Sequence, residues 1–510
     1  MKPVARHAGQ AQPDEAEVPT AQFAGAVSAR VAGARLAGLF GSGRADGSVH
    51  LRAAISRRGV LEVVSCSVPA GRDGTTACYP ALTPAIPAAS WYEREVADMF
   101  GLRPEGHPRV DPLVLPRGPG HVAPRPGSGA VYSDRPHYPD EAALPAHVSG
   151  EGLFTLPYGP VRSGVFESVQ YLVETPGEDI LHVRARVYHK HRGVESRFEG
   201  MAPADGVLLA ERVEGVAAVA HALAYCQALE GGATELPRGA LLARVLHAEM
   251  ERIANHLDSM MRHTDAAGQA VANARLAWHK ERLLRLRAAL CGHRFGRGVI
   301  VIGGVAGPPA LAPQVAIGAL ADIEADVRSD THLLMSTSSF VDRLRGTGVI
   351  APEVAAARGA LGPVARASGS EEDLRTHRPY AAYGRVEVPE HRYRDAGDAL
   401  SRQLVRLEEL WGSFRLCESA LEAIAACPVE GPWAAEVAPA EGVSWGWAEA
   451  PQGELLYMVE VEGGRLRRVK PRSASFHNLS LFPEAFGGDI FTDFAFIEAS
   501  FGLSIAGVAG

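Results

Sequence analysis

The sequence predicts an α+β fold, in which a small N-terminal α/β domain precedes a large domain with a helical-bundle core and a β-rich flank. Short β-branched runs dominate residues 21–102, whereas helical periodicity dominates after Gly200. A stretch rich in Pro, Gly and His lies between them, at residues 103–150. With 510 residues, 46% of them hydrophobic, the chain is long enough for several domains and a large core.

The predicted domain boundaries follow these changes in composition. Residues 1–20 are rich in Ala, Gln, Glu and Pro, which predicts a disordered tail. Residues 21–102 form the small domain, residues 103–150 a linker laid along a surface, and residues 151–510 the large domain. The sequence shows neither the apolar run of a signal peptide nor the ~18 apolar residues of a membrane span. We therefore expect a soluble chain that other subunits hold at any membrane.

The pattern of the small domain predicts one helix and two strands before a second, short helix. Val27–Ala37 is the first predicted helix. His50–Ile55 and Val60–Val68 are predicted strands, because both are β-branched and bounded by turn residues. The Pro-rich segment Pro80–Ser90 connects them to the short helix, which begins at Trp91.

The large domain is predicted to begin with strands and to continue with long helices. Alternation of apolar and polar residues predicts the strands, and apolar residues at i, i+3, i+4 and i+7 predict the helices. The predicted strands are Phe154–Tyr158, Ser168–Glu174 and Ile180–Tyr188, and the predicted helices are Gly206–Glu230, Arg238–Arg262, Asn273–Cys291, Pro313–Ser336 and Asp398–Ala426. A hairpin of Leu455–Glu462 and Arg465–Lys470 is predicted around Gly463-Gly464.

Charge and cysteine content argue against several functions. The net charge of −8 disfavours a nucleic-acid partner, which would require a basic face. The six cysteines are scattered, so the spacing predicts neither a zinc site nor an iron–sulfur site in this chain. Reduced, buried thiols are the simplest interpretation.

An ordered series of motifs resembles a known family. Trp91–Gly101, followed by Gly106-His107-Pro108, resembles the signature of the complex I 30 kDa subunit and of the matching docking domain of membrane-bound hydrogenases. Leu156–Pro160, Lys190–Glu195 and Arg244–Leu257 resemble segments of the complex I 49 kDa subunit and the group 4 [NiFe] hydrogenase large subunit. The fused order is similar to the formate hydrogenlyase or hydrogenase-4 type and to C/D-type complex I subunits. The resemblance implies a hydrogenase-large-subunit-like fold for residues 151–510.

The resemblance also shows which nickel ligands are missing. Arg212–Ala217 has the frame of the family's first nickel-binding motif, and Gly502–Gly507 aligns with the second. The four positions that hold thiolates in hydrogenases are occupied by Glu214, Ala217, Ser504 and Gly507. Because nickel and low-spin iron need soft thiolate ligands, the resemblance implies a scaffold without a metal centre.

Polar residues around the emptied cavity form the candidate site. The resemblance implies that Glu195 matches a proton-relaying carboxylate of hydrogenases, and burial predicts a raised pKa for it. Glu214 matches an acidic residue of complex I. We predict Glu195, Glu214 and His221 as catalytic residues, and Arg162 and Arg192 as ligands of an electron acceptor. An alternative is that these groups only satisfy one another in a vacated pocket.

Three further positions depart from the family's pattern. Arg162 lies near the position of the histidine that binds quinone in complex I, and Leu209 lies near that of the quinone-binding tyrosine. Gln452 replaces the arginine that lies over the iron's diatomic ligands in hydrogenases. Neither working version of the site is therefore complete in this chain.

The resemblance implies a subunit of a complex I-like NADH-quinone oxidoreductase. Electrons would pass from a [4Fe–4S] cluster in a small iron–sulfur subunit to a quinone or another acceptor in the former nickel cavity. This chain would bind no cofactor firmly, and NAD(H) would bind another subunit. The expected partners also include a ferredoxin-like subunit and integral-membrane antiporter-like and anchor subunits, on the cytoplasmic side of the inner (plasma) membrane. The alternatives are a non-catalytic scaffold and an active hydrogenase with unusual ligands.

Overall fold

The computed structural model describes residues 12–71, 76–116, 122–129, 148, 150–162, 167–231, 235–389, 394–428 and 431–510. It confirms the predicted α+β fold. The strands are β1 (Glu15–Glu17), β2 (Arg35–Gly43), β3 (Val49–Arg57), β4 (Val60–Val68), β5 (Cys78–Pro80), β6 (Arg103–Glu105), β7 (Phe154–Tyr158), β8 (Gln170–Thr175), β9 (His182–Arg186), β10 (Ile300–Val301), β11 (Gly304–Val305), β12 (Gly442–Ala450), β13 (Gly453–Glu462) and β14 (Arg465–Arg472). The helices are α1 (Phe23–Val31), α2 (Ser90–Phe100), α3 (Val194–Phe198), α4 (Pro203–Ala210), α5 (Ala218–Glu230), α6 (Arg238–Ala266), α7 (Ala270–Cys291), α8 (Pro313–Met335), α9 (Ser338–Leu344), α10 (Pro352–Arg358), α11 (Gly362–Arg366), α12 (Leu374–His377), α13 (Ala399–Ala425), α14 (Ala474–Leu481), α15 (Phe494–Phe501) and α16 (Ala506–Ala509).

The N-terminal domain contains a four-stranded sheet in the order β1-β4-β3-β2. Successive side chains of a strand point to opposite faces, and both faces of this sheet are covered. Val64, Cys66 and Val68 of β4 join the hydrophobic cluster that contains α1 and α2. Leu61 and Val63 of the same strand join the main cluster of the large domain. The N-terminal domain is therefore packed into the large domain along a whole sheet face.

The predicted disordered tail at residues 1–20 is wrong for its C-terminal part. Strand β1 lies there and pairs in parallel with Val63–Ser65. The carboxylate of Glu15 accepts a hydrogen bond from Arg52 Nε at 3.0 Å, which ties the strand to the sheet. Residues 1–11 lie outside the described residues.

The predicted helix Val27–Ala37 is also misplaced. Helix α1 ends at Val31, and β2 begins at Arg35. Gly33 has a φ of +69°, a left-handed conformation that ends a helix and turns the chain. The predicted strands of this domain are confirmed as β3 and β4, and the predicted short helix as α2.

The linker predicted at residues 103–150 is packed where the structure describes it. Strand β6 pairs in parallel with β5. The N–H groups of Leu113 and Val114 donate to Asp98 Oδ2 at 2.7 and 2.9 Å, so a buried carboxylate draws this segment into the core. Residues 113–116 are therefore buried and depart from the predicted surface path, whereas residues 105–112 stay at least partly exposed. Much of the remaining linker, including residues 130–147, lies outside the described residues.

The large domain is centred on α6, which packs against α7, α13 and α15, while α8 packs against α7 and α13. The predicted long helices are confirmed except for Gly206–Glu230, which is broken into α4 and α5. The Glu251 side chain of α6 accepts hydrogen bonds from the N–H groups of Val219 and Ala220 at 2.7 and 3.0 Å. This carboxylate caps the start of α5, a tertiary contact that helical periodicity does not reveal.

The β-rich flank consists of two antiparallel three-stranded sheets, β7-β8-β9 and β12-β13-β14. Helix α5 packs on β12 and β13. The predicted hairpin is confirmed as β13 and β14, whereas β12 was not predicted. Among the described helices, none combines the length and the apolar character needed to cross a membrane.

Candidate functional site

Two loops meet at the candidate site: the first loop (residues 211–217), between α4 and α5, and the C-terminal loop (residues 502–510). Arg192 joins them. Its Nη2 donates to the backbone oxygen of Val213 in the first loop at 2.5 Å and to that of Ala506 in the C-terminal loop at 3.2 Å. Arg192 therefore fastens the two loops to each other through backbone oxygens, while part of its side chain stays exposed.

Glu214, His221 and Tyr457 form a buried hydrogen-bonded chain. His221 Nε2 lies 2.9 Å from Glu214 Oε2, and His221 Nδ1 lies 2.6 Å from the Tyr457 hydroxyl. All three residues are at most 1% exposed. Because a carboxylate only accepts hydrogen bonds, His221 Nε2 donates to Glu214, while Nδ1 faces the Tyr457 hydroxyl. Burial raises the pKa of Tyr457 well above its usual value, so this residue stays a phenol. The sequence predicted Glu214 and His221 but not Tyr457.

The four positions that the resemblance aligns with the thiolates of hydrogenases are close together. A Cβ atom on Gly507 would lie 2.9 Å from Glu214 Oε2. Ser475 Oγ lies 3.4 Å from Glu214 Oε1 and accepts a hydrogen bond from Ser504 N at 3.1 Å. The N–H of Ala217 donates to the backbone oxygen of Glu214 at 3.3 Å. The Glu214 carboxylate therefore fills the space between the two loops.

The residues at these positions do not fit a nickel–iron centre. They offer carboxylate and hydroxyl oxygens instead of the soft thiolates that such a centre needs, and the Glu214 side chain takes up the room. Within the described residues, no group of three or more His, Cys, Asp and Glu side chains has an arrangement that could hold a metal ion.

Glu167, which we did not predict, holds the C-terminal loop. Its carboxylate accepts hydrogen bonds from Ser504 Oγ at 3.1 Å, from Ala506 N at 3.2 Å and from Ile505 N. Anionic groups stabilise the amino end of a helix, and these N–H groups lie at the start of α16. The position of Glu167 in the connection between β7 and β8 gave no sequence signal for this role.

The pKa that we predicted for Glu195 is wrong. Burial would raise it, but the charges of Arg468 and Lys470, each 2.6 Å away, outweigh burial and lower the pKa to about 2. Glu195 is therefore ionised at neutral pH and does not pair with Arg192. Lys470 also lies 2.5 Å from Glu95 of α2, whose pKa is raised by burial. One lysine thus links α2 of the N-terminal domain to the large domain.

Arg162 lies at a different place from the Glu214–His221–Tyr457 chain. Its guanidinium makes a two-pronged ion pair with Glu498 of α15, at 2.9 and 2.7 Å, between the rings of Tyr158 and Tyr171. In the described part of the chain, no contact joins Arg162 to His221 or Glu214. Residues 163–166 of the same connection lie outside that part.

A cavity of about 100 Å³ lies on the other side of the first loop, and sequence reasoning missed it. Gly215, Glu251, Asn255 and Arg287 are among its lining residues. Burial raises the pKa of Glu251 to about 7, although Arg287 and two backbone N–H groups oppose the shift. The available signal was the spacing of Glu251, Asn255 and Asp258, which places these three lining residues on one face of α6.

Two family models match the chain. Residues 42–125 match the respiratory-chain NADH dehydrogenase 30 Kd subunit, and residues 268–441 match the respiratory-chain NADH dehydrogenase 49 Kd subunit. Both matches lie in the order that the motifs predicted.

Alignments with curated relatives cover most of this chain. The chain is 28% identical to formate hydrogenlyase subunit 5 of Escherichia coli (strain K12) over 415 residues, 78% of this chain and 71% of that protein. It is 30% identical to the carbon monoxide-induced hydrogenase of Rhodospirillum rubrum over 330 residues, 64% of this chain and 90% of that protein. It is 26% identical to the C/D 2 subunit of the NADH-quinone oxidoreductase of Aquifex aeolicus (strain VF5) over 477 residues, 81% of each. The chain therefore belongs to the family of complex I 49 kDa subunits and group 4 hydrogenase large subunits, fused to a domain of the complex I 30 kDa type.

Proposed function

We propose that this chain is the acceptor-side subunit of a membrane-associated, complex I-like oxidoreductase that works without nickel. Electrons from a [4Fe–4S] cluster of a neighbouring subunit would reduce a quinone or a similar organic acceptor. The observation that carries this proposal is the cavity beside the first loop, lined by Glu251, Asn255 and Arg287. Because the Glu214 carboxylate leaves no room for a Cβ atom on Gly507, we place the acceptor in the neighbouring cavity and not between the two loops.

The lining of this cavity fits a quinone head group. Leu284 and Phe295 supply apolar contact, and the Asn255 amide can donate to a carbonyl oxygen. Arg287 is 2% exposed, and its Nε has no partner within the described residues. At about 100 Å³ the space is smaller than the roughly 150 Å³ of a cavity that takes benzene, so a quinone ring would fill it and extend beyond it. A bound quinone would supply the redox chemistry, and these residues would orient it.

Glu251 is placed to hold a proton at this cavity. With a pKa of about 7, its carboxyl exchanges protons near neutral pH. It contacts the first turn of α5, the helix that carries His221. His221 connects Glu214 and Tyr457 through hydrogen bonds, and this chain can polarise when the charge on Glu251 changes. This arrangement supports proton uptake coupled to reduction of the acceptor.

The partners of this chain follow from the same proposal. The relatives are named as subunits or components of formate hydrogenlyase, hydrogenase-4 and NADH-quinone oxidoreductase, so partner subunits are expected. We propose a small iron–sulfur subunit, a ferredoxin-like subunit, and antiporter-like and anchor subunits in the membrane. NAD(H), where it is the donor, would bind another subunit. The chain would lie on the cytoplasmic side of the inner membrane.

A scaffold without redox chemistry of its own is the second candidate. It is supported by the closed packing of Glu214 against Gly507 and by the way Arg192 fastens the two loops through backbone oxygens. In this case the chain would hold the complex together while electrons reach their acceptor elsewhere.

Replacing Glu251 by Gln separates the two candidates. Gln keeps the size of the side chain and can accept one of the two backbone hydrogen bonds through its amide oxygen, but it cannot release a proton, so we expect reduction of a short-chain quinone to fall at least about 100-fold. The assay uses the assembled complex with reduced methyl viologen as donor, and native gel electrophoresis checks assembly. The matched control is Glu281→Gln on the exposed side of α7, which should keep full activity. Full activity of an assembled Glu251→Gln complex would refute the acceptor site and favour the scaffold.

A further inference from the structure

A second cavity, of about 220 Å³, lies between the docking domain and the β8–β9 hairpin. Part of its lining is apolar, from Trp91, Pro108, Pro112, Leu172, Val183 and Pro483. The charged residues of the lining are mostly arginines, namely Arg94, Arg109, Arg184, Arg186 and Arg358. The carboxylates in the described lining are Asp111 and Glu484. The cavity is thus strongly basic in a chain whose net charge is −8.

The arginines crowd one another, although some have carboxylate partners. Arg184 Nη2 lies 3.1 Å from Glu174 Oε1, Arg109 pairs with Asp111, and Arg358 Nη2 lies 2.5 Å from Glu484 Oε1. Burial, and next the charge of Arg109, lower the pKa of Arg184. An anion between Arg109 and Arg184 would relieve this repulsion.

Two guanidinium groups have buried nitrogens available for such an anion. Arg184 Nε and Arg109 Nη2 are buried and have no hydrogen-bond partner in the described portion of the chain. A buried N–H group without a partner is costly, so such groups commonly mark a place for a ligand or an ordered water. Both belong to side chains that line the cavity, one from β9 and one from the segment after β6.

We propose that this cavity binds a phosphate group, carried by a soluble phosphate ester or by a phospholipid. The planar guanidinium group of arginine can bind two phosphate oxygens at once through two parallel N–H groups. A phosphate monoester carries about −1.5 to −2 charges at pH 7, enough to form ion pairs with several guanidinium groups. The volume exceeds that of the phosphate alone, and the apolar wall formed by Trp91, Leu172 and Val183 accommodates an organic group attached to it. This site is separate from the acceptor cavity and does not depend on the proposed redox function.

The first test is a calorimetric titration of the purified full chain with inorganic phosphate and with glycerol 3-phosphate. The second test is flotation of the chain on phosphatidylcholine vesicles with and without phosphatidic acid. We expect saturable binding that Arg109→Gln combined with Arg184→Gln weakens at least about tenfold. The matched control removes the same charge elsewhere, by Arg285→Gln combined with Arg328→Gln on exposed helix surfaces, and should leave binding unchanged.

The arms of the test identify the source of the phosphate. Binding of glycerol 3-phosphate without flotation indicates a soluble ester, whereas flotation that needs phosphatidic acid and Arg184 indicates a lipid. If the double variant does not fold, Arg358→Gln at the partly exposed rim must still weaken binding. Absence of binding in all arms, or equal binding by wild type and the arginine variants, overturns the proposal.

Discussion

Replacing Lys470 by Met is expected to lower the free energy of unfolding by about 3–5 kcal/mol, because it leaves a buried ion network without its central cation. Lys470 is 7% exposed and lies between Glu95 of the N-terminal domain and Glu195 of the large domain. Arg468 remains to pair with Glu195, but among the described residues Glu95 has no second cation at such a short distance. The midpoint of denaturant unfolding measures the loss.

The pH dependence of this loss identifies its cause. Burial already raises the pKa of Glu95 above its usual value of 4.5, and loss of Lys470 raises it further. A folded-state pKa above the unfolded value means that stability falls as pH rises through that window. The variant should therefore lose more stability at pH 8 than at pH 5. Lys280→Met, which breaks a partly exposed pair with Asp258, should cost at most about 1 kcal/mol, and an equal loss in both variants would contradict the network.

Replacing Gly507 by Ala is expected to lower the free energy of unfolding by about 1–3 kcal/mol through overpacking. The added Cβ would lie 2.7 Å from Ser473 Oγ and 2.9 Å from Glu214 Cδ. Glu214 cannot move aside freely, because it is buried and bound to His221. Thermal unfolding measures the effect.

A double-mutant cycle tests whether Glu214 is the cause. If its carboxylate fills the space next to Gly507, Glu214→Ala combined with Gly507→Ala should cost less than the sum of the single variants, with a coupling of about 1 kcal/mol or more. Gly215→Ala is the control, since nothing lies within 4 Å of its added Cβ. Additive single effects would mean that Glu214 does not occupy the space between the two loops.

The sequence predicted most of the secondary structure, because helices α6, α7, α8 and α13 are long and strongly periodic. The misplaced end of α1 follows from Gly33, a local signal that we overlooked, whereas two other errors lie where distant contacts decide the local structure. Strand β1 forms through its pairing with β4 and through Arg52, which lies far along the chain. The break before α5 depends on a cap supplied by Glu251 of α6. Neither contact leaves a local pattern in the sequence.

The sequence pointed to some residues of the candidate site, but not to Tyr457, Glu167 or the electrostatics. The structure brings Glu214, His221 and Arg192 together around two loops that meet in space, and their roles stay predictions. The low pKa of Glu195 could not be predicted, because it depends on Arg468 and Lys470 of a strand nearly three hundred positions away in the chain. Burial alone raises a carboxyl pKa, whereas burial beside two cations lowers it.

The central claim is that protein side chains, led by the Glu214 carboxylate, occupy the place that a nickel–iron centre takes in hydrogenases. Elemental analysis of the purified native complex, as nickel and iron per copy of this chain, tests it most directly. We expect iron from the clusters of partner subunits and nickel far below one atom per chain, because the positions of Glu214, Ala217, Ser504 and Gly507 offer no thiolate. Nickel at one atom per chain would contradict the account and would show that the chain holds a metal centre with other ligands.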